Sequence, residues 1–163
     1  MAPSWIATEQ LPSEAKVRDA TEADLPRLVQ LLAQLSLTTP REDPGSPLDE
    51  SYLRAFREIE ADPRQRLLVV EAAGQVTGSA TLIIVPNLSH GGRPYAIVEN
   101  VVVDEAARGA GFGELLLRYV IEEARRAGCY KLSLTSNKRR TAAHRFYQRL
   151  GFQATSEGYR VDL

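Results

Sequence analysis

The sequence predicts an α/β fold built on a mixed β-sheet, and three features lead to that prediction. Two β-branched runs joined by a glycine turn, residues 67–73 and 76–85, are typical of an antiparallel hairpin. A third apolar run, residues 95–103, is followed by a glycine-rich turn, an amphipathic helix and another apolar run, residues 130–135. Such a strand–helix–strand crossover makes its two strands parallel. The sheet is therefore expected to combine antiparallel and parallel pairs.

The chain is expected to contain one domain. Its 163 residues, 44% hydrophobic and 25% charged, suit one ordinary domain with its own core. Residues 1–16 lack periodicity and contain two prolines, which predicts a loosely ordered segment. The single domain would then span residues 17–163.

Charge and cysteine content exclude several classes of protein. The formal net charge is −1, so bulk electrostatics does not attract the whole chain to nucleic acid or to an anionic membrane. The first ten residues have neither a basic start nor a sustained apolar run, so neither a secretory signal nor a membrane span is predicted. The single cysteine, Cys129, permits no intrachain disulfide, and the two histidines show no metal-site spacing. We therefore expect a cytoplasmic protein with no metal, nucleic-acid or membrane partner.

Helical patterns precede the hairpin. Thr21 and Asp24 have capping-box spacing ahead of apolar residues that recur with helical periodicity over 25–35. After a loop rich in proline and acidic residues, a second helical pattern covers 52–59 and stops before Pro63. Two helices are therefore expected on this part of the chain.

The elements after the third strand complete the predicted fold. A helix is predicted from about Gly113 to Ala127, with Gly128 as its C-terminal stop. Thr141 can cap a short helix that ends at Gly151. Residues 152–163 are expected to supply one or two closing strands.

The turn before the long helix has the composition of a phosphate-binding site. It reads Arg108-Gly109-Ala110-Gly111-Phe112-Gly113. Glycines let the backbone approach a ligand closely, and the amides and dipole at a helix start attract phosphate. A P-loop lysine does not follow, and the acidic residue of a Rossmann fingerprint is missing. The alternative is a glycine turn needed only for tight strand-to-helix packing.

Motifs on both sides of this turn resemble those of the GNAT N-acetyltransferase superfamily. The strand 97–103 with Glu99 precedes the turn, and Asn137 and the run His144-Arg145-Phe146-Tyr147 follow it. Within that superfamily the chain is similar to glucosamine-phosphate and to aminoalkylphosphonate acetyltransferases. The resemblance implies a mostly antiparallel sheet of six to seven strands with a central parallel splay, flanked by about four helices.

The resemblance also implies a site for acetyl-CoA in the splay between the parallel strands. Main-chain groups of Val101, Val102 and Val103 would contact the pantetheine arm. The turn would hold the pyrophosphate through Arg108, Gly109, Ala110, Gly111, Phe112 and Gly113. Asn137 would hydrogen-bond the pantetheine, and Tyr147 would direct its hydroxyl at the sulfur.

The implied reaction is transfer of the acetyl group to the primary amine of a small molecule. An amine with a pKa near 10.4 is mostly protonated at neutral pH, so a base is needed. Glu99 is the candidate, acting directly or through water, and the alternative is a carboxylate that only pairs or orients. Tyr147 is the candidate acid for the leaving thiolate, and the alternative is a core tyrosine. Protein amines as acceptors, a non-catalytic acetyl-CoA sensor and a homodimer are further possibilities that the resemblance leaves open.

Neither of the two basic features near the last helix is predicted to take part in the chemistry. His144 is expected to be structural or to lie beside the cofactor, because no serine or cysteine nucleophile accompanies it. The run Lys138-Arg139-Arg140 is typical of a solvated loop, and contacts with CoA phosphates or an acidic substrate are the alternative.

Overall fold

Five strands and five helices make up the part of the chain that the computed structural model describes, residues 14–45 and 47–163. The strands are β1 Lys16–Asp19, β2 Gln65–Ala72, β3 Gln75–Val85, β4 Tyr95–Val103 and β5 Leu132–Ser133. The helices are α1 Leu25–Ala33, α2 Glu50–Ala61, the four-residue α3 Ser89–Gly92, α4 Phe112–Arg126 and α5 Thr141–Arg149. Most of the predicted N-terminal segment, residues 1–13, lies outside the described residues.

The strands form one mixed sheet in the order β1-β2-β3-β4-β5. The first three pairs are antiparallel and β4–β5 is parallel, which confirms the predicted combination. Ala73 and Gly74 form the tight turn between β2 and β3, and both have positive φ, 49° and 74°. Left-handed φ at both positions suits a two-residue hairpin, so the hairpin predicted from Gly74 is present.

The predicted number of strands was wrong. The described sheet has five strands rather than six or seven, because residues 152–163 form no strand. Tyr159, Val161 and Leu163 alternate as in a strand, yet their side chains are 79% or more exposed. Alternation produces a strand only where an edge is available to pair with it, and β5, the neighbouring edge, is two residues long.

Apolar side chains cover both faces of the sheet. On one face, α4 packs its fully buried Leu116, Leu117 and Val120 against the strands. On the other face lie Leu28 of α1 and Phe56 of α2. Each such large side chain contributes about 1.5–3 kcal/mol on burial. The helices are thereby fixed on the sheet at the positions that frame the site.

A 3₁₀ turn, Glu22–Asp24, leads directly into α1 and carries the predicted capping box. The carboxylate of Asp24 accepts a hydrogen bond of 2.8 Å from the backbone amide of Thr21, the N-cap of that turn. None of the helices in the described ranges is long and apolar enough to cross a membrane.

Candidate active site

The site lies where β4 and β5 separate. The two strands pair only at Ala96–Leu132 and Ile97–Ser133, after which β4 continues to Val103 and β5 ends. A cavity of about 170 Å³ opens beyond the pairing. Its walls come from β4, from the residues after β5, from α5 and from the end of α1: Leu35, Val98, Glu99, Asn100, Val101, Leu134, Thr135, Ser136, Asn137, Arg140 and Tyr147.

A β-bulge in β4 shapes the cavity beside Glu99. A register shift between Ser79 and Thr81 leaves two β4 residues, Asn100 and Val101, opposite one residue of β3. Asn100 has φ 54°, a left-handed conformation that asparagine tolerates better than most side chains. Bulges bend a strand and interrupt its ladder, and they often re-aim side chains at functional sites. The sequence analysis missed this feature, for which the asparagine within an apolar strand was the available signal.

Glu99 and Tyr147 line the same cavity from different elements. Glu99 lies on β4 and is partly exposed, whereas Tyr147 lies on α5 and packs against Phe146 and Phe152, with ring centroids 5.5 and 6.0 Å away. Burial raises the pKa of Tyr147, and the charge of Arg140 opposes part of that rise. The phenol therefore keeps its proton at neutral pH and can donate it.

The glycine-rich turn leads directly into α4. The helix begins at Phe112, one residue earlier than predicted, and Gly109 and Gly111 both have φ 85°. The Phe112 side chain is buried and Ala110 packs against the same core, so only the main chain of these residues can face a ligand. Amides in the first turn of a helix have no intrahelical acceptor. The turn thus offers backbone donors, as an anion site needs.

Arg108 fastens the turn to the end of β4. Its Nε donates to the Val103 carbonyl at 3.2 Å, and its Nη2 lies 3.6 Å from an oxygen of Glu105. The Arg108 side chain is 53% exposed, so its charge remains accessible to an incoming anion.

The three valines of the predicted cofactor wall also belong to the core. Val102 is buried against α1 and α2, whereas Val101 and Val103 pack against the cluster around α4. Val102 is buried, so any contact it makes with a cofactor must come from its main chain, whereas Val101 and Val103 are partly exposed and Val101 lines the cavity.

Asn137 starts the loop that leads into α5. Its Oδ1 accepts from the Arg139 amide at 2.9 Å. Its carbonyl oxygen accepts from the Arg140 amide at 2.9 Å and lies 2.9 Å from Nε2 of His144. A carbonyl can only accept, so Nε2 carries the proton in this contact. His144 therefore secures the loop, as its expected structural role implies.

Arg140 departs from the solvated-loop interpretation of the basic run. Lys138 and Arg139 are exposed, but Arg140 is half-buried, lines the cavity and donates through Nη2 to the carbonyl of Leu35. Because Leu35 lies 105 residues away in sequence, no local pattern could have shown this contact.

Other parts of the described chain offer weaker candidates. A depression of about 550 Å³ is lined only by residues of α2, Glu50, Leu53, Arg54, Arg57, Glu58 and Ala61, and shares none with the cavity. Burial raises the pKa of the Cys129 thiol, which disfavours a thiolate nucleophile. Among the described residues, no three His, Cys, Asp or Glu side chains are placed to hold a metal ion.

The fold and the site combine a mixed sheet that splays beside a glycine-rich turn with a carboxylate and a phenol at the gap, the arrangement that an acyl-transferring enzyme needs. The family model described as "Acetyltransferase (GNAT) family" matches residues 29–152. The chain belongs to this family, which confirms the resemblance read from the sequence, and it is an N-acetyltransferase.

Individual relatives agree with this assignment. The chain is 35% identical to a glucosamine 6-phosphate N-acetyltransferase of Trypanosoma brucei brucei, over 92% of this chain and 97% of the relative. It is 30% identical to an aminoalkylphosphonate N-acetyltransferase of Salmonella typhimurium, over 89% of each chain. A crystal structure of a protein from Bacillus halodurans, named a transcriptional regulator, has a TM-score of 0.88 at 38% identity and covers 91% of this chain and 99% of its own.

Proposed function

We propose that this enzyme transfers the acetyl group of acetyl-CoA to the primary amine of a small molecule, by direct attack in a ternary complex. The observation that carries the proposal is that Glu99 and Tyr147 line one cavity, where β4 and β5 separate. The names of the Trypanosoma and Salmonella relatives, both N-acetyltransferases of small amines, support the acceptor class.

Glu99 is proposed to take a proton from the incoming ammonium group, directly or through a water molecule. Only a small fraction of such an amine, whose pKa is about 10.4, is unprotonated at neutral pH. The free amine then attacks the thioester carbonyl carbon, a carbon–nitrogen bond forms, and the carbonyl oxygen becomes negative. A backbone amide in the bulged segment around Val101 is the proposed stabiliser of that charge.

Tyr147 is proposed to protonate the sulfur when the carbon–sulfur bond breaks and its electron pair moves to sulfur. Burial raises the pKa of Tyr147, so the phenol holds its proton at neutral pH and can donate it to the sulfur as negative charge develops there. The net products are an amide and the free thiol of CoA.

The proposed cofactor contacts follow the same geometry. Arg108 and the amides of the turn, from Gly109 to Gly113, would hold the pyrophosphate, because that segment offers an accessible cation and a helix N-terminus. Asn137 and the main chain of residues 101–103 would hold the pantetheine arm. No metal is proposed to take part.

The decisive experiment is calorimetric titration of the purified protein with acetyl-CoA, followed by a thiol-release assay with a panel of amines. We expect saturable binding near one molecule per chain and turnover with small amines, among them glucosamine 6-phosphate and 2-aminoethylphosphonate. Turnover only with peptides would indicate that the acceptor is a protein amine. Binding of acetyl-CoA without turnover of any amine would favour a non-catalytic sensor. A homodimer and a cytoplasmic location remain predictions, and light scattering tests the first.

A further inference from the structure

We infer that Arg140 is a positioning residue that sets the separation of Glu99 and Tyr147 by fastening the end of α1 to α5 across the cavity. This inference rests on the proposed function, because it assumes the roles given there to the carboxylate and the phenol. It adds a residue that neither the phosphate-binding turn nor the proton-transfer pair includes.

The sheet alone does not fix that separation. β4, which carries Glu99, and β5, after which the chain leads to Tyr147, are paired only at Ala96 and Ile97. Beyond those pairs the cavity separates two walls: the β4 wall, which carries Glu99, and the α5 wall, which carries Tyr147. On the α4 face of the sheet, α5 is held by apolar packing of Phe146. On the opposite face, the segment at the end of α1 lies beside the cavity and can link the walls.

Polar contacts tie helix α1 and its C-cap to the residues that follow β4, at two points, and to β3, at one. The guanidinium of Arg27 pairs with the carboxylate of Asp104, directly after β4, and its Nε donates to the Val76 carbonyl at 3.0 Å. At the end of the helix, Oε1 of Gln34 accepts from the Glu105 amide at 2.9 Å. The end of α1 therefore moves with the β4 wall.

The residue after Gln34 provides the link to the α5 wall. The carbonyl of Leu35 accepts from the guanidinium of Arg140, the residue that directly precedes α5. Leu35 and Arg140 both line the cavity. Two consecutive residues directly after α1, Gln34 and Leu35, thus contact opposite walls, and Arg140 closes the bridge.

The position of Arg140 also places its charge near Tyr147. The charged or titratable side chains that line this cavity with Tyr147 are Glu99 and Arg140. Arg140 therefore acts on the geometry of the pair and on the electrostatic environment of the phenol. Because a misplacement of about 1 Å can lower a rate by about 10²-fold, loss of the bridge should lower kcat more than it weakens cofactor binding.

The test compares Arg140→Gln with Arg139→Gln in the full chain. Both remove one positive charge at neighbouring positions, but the Arg139 side chain is exposed. With acetyl-CoA and the amine of the panel that reacts fastest, Arg140→Gln should lower kcat by about 10- to 100-fold, with the Kd of acetyl-CoA changed by less than about threefold. Arg139→Gln should leave kcat unchanged. Arg140→Lys, which keeps the charge and one donor, should recover part of the loss.

A double-mutant cycle with Gln34→Ala identifies the bridge itself. If Gln34 and Arg140 belong to the same link, either single substitution already breaks it. The double variant should then lose little more kcat than the single variants, so the two fold-losses should not multiply. Multiplying losses, or equal kcat in Arg140→Gln and Arg139→Gln, would overturn the inference while leaving the proposed function intact. An inactive wild-type enzyme would instead refute the proposed function. If Arg140→Gln fails to fold, the same cycle is measured with Arg140→Lys.

Discussion

Gly113 and Phe146 are in such close contact that a methyl group on Gly113 would displace the Phe146 ring by a few tenths of an ångström. A Cβ atom on Gly113 would lie 3.2 Å from Cζ of Phe146 and 3.4 Å from Cγ2 of Val103. The contact joins the start of α4 to α5, the helix that carries Tyr147. The sequence left open whether this turn binds phosphate or serves tight packing, and at Gly113 close packing is required in either case.

Replacing Gly113 with alanine should therefore disturb the site more than the fold. Overpacking costs about 1–3 kcal/mol, whereas alanine gains up to about 1 kcal/mol over glycine in a helix. We expect a net loss of unfolding free energy of at most about 2 kcal/mol. Because Phe146 must shift, acetyl-CoA should bind at least about tenfold more weakly, as measured by calorimetry.

Gly158→Ala is the matched control, since no atom lies within 4 Å of its added Cβ. It should leave both stability and binding unchanged. Wild-type affinity for acetyl-CoA in Gly113→Ala would show that the Phe146 contact does not influence the turn.

Glu99→Gln tests the proposed base. The amide keeps the size of the side chain but cannot accept a proton from an ammonium group, so kcat/KM should fall by about 10²- to 10⁴-fold. Residual activity should remain, because holding the amine beside the thioester still accelerates the reaction. Steady-state kinetics by thiol release, with calorimetry for the Kd of acetyl-CoA, separates chemistry from binding.

Glu60→Gln on the exposed face of α2 controls for loss of one negative charge. It should behave as wild type. A fall in acetyl-CoA affinity that accounted for the whole kinetic effect of Glu99→Gln would rule out the role as base.

Tyr147→Phe tests the proposed acid and has a consequence for stability at high pH. The variant should lower kcat by about 10²-fold with little change in the Kd of acetyl-CoA. Burial raises the pKa of Tyr147, so the folded protein keeps this proton after the unfolded chain has lost it near pH 10. The unfolding free energy of the wild type should therefore decrease as the pH rises through that value, and less so in Tyr147→Phe.

Tyr159→Phe is the control, because the Tyr159 side chain is 91% exposed. It should match the wild type in kcat and in the pH dependence of urea unfolding. Identical pH curves for Tyr147→Phe and wild type would contradict the buried, protonated state of Tyr147.

The parts of the fold that the sequence predicted are those with local causes. Helix α4 follows from its apolar periodicity, and the hairpin turn at Gly74 follows from the need for positive φ. The candidate residues Glu99 and Tyr147 came from the resemblance to the GNAT superfamily, and both line one cavity in the structure.

What the sequence did not predict depends on contacts between distant residues. The bulge at Asn100 arises from the register of β4 against β3, which no property of β4 alone determines. The contact of Arg140 with Leu35 joins residues that are 105 positions apart in the sequence. The closing strands expected in residues 152–163 were wrong: Tyr159 and Val161 alternate as in a strand, but no edge in the described chain pairs with them.

Asp24 is expected to stabilise the fold through its charge. Its carboxylate accepts from Arg18 at 2.7 and 3.0 Å and from the Thr21 amide at 2.8 Å, and its side chain is 12% exposed. Asp24→Asn should lower the unfolding free energy at pH 7 by about 2 kcal/mol, because a charge-assisted pair and part of a helix cap are lost together.

The pH dependence of this loss distinguishes charge from shape. Hydrogen bonding to Arg18 lowers the pKa of Asp24, so its contribution is present above the unfolded pKa near 4 and disappears as the pH falls through the lower folded value. The difference in urea stability between wild type and Asp24→Asn should therefore shrink below about pH 4. Asp162→Asn, whose side chain is 81% exposed, should stay within about 0.5 kcal/mol of wild type throughout. A difference that persisted unchanged at pH 3 would mean that the asparagine disturbs packing and that the charge is not the cause.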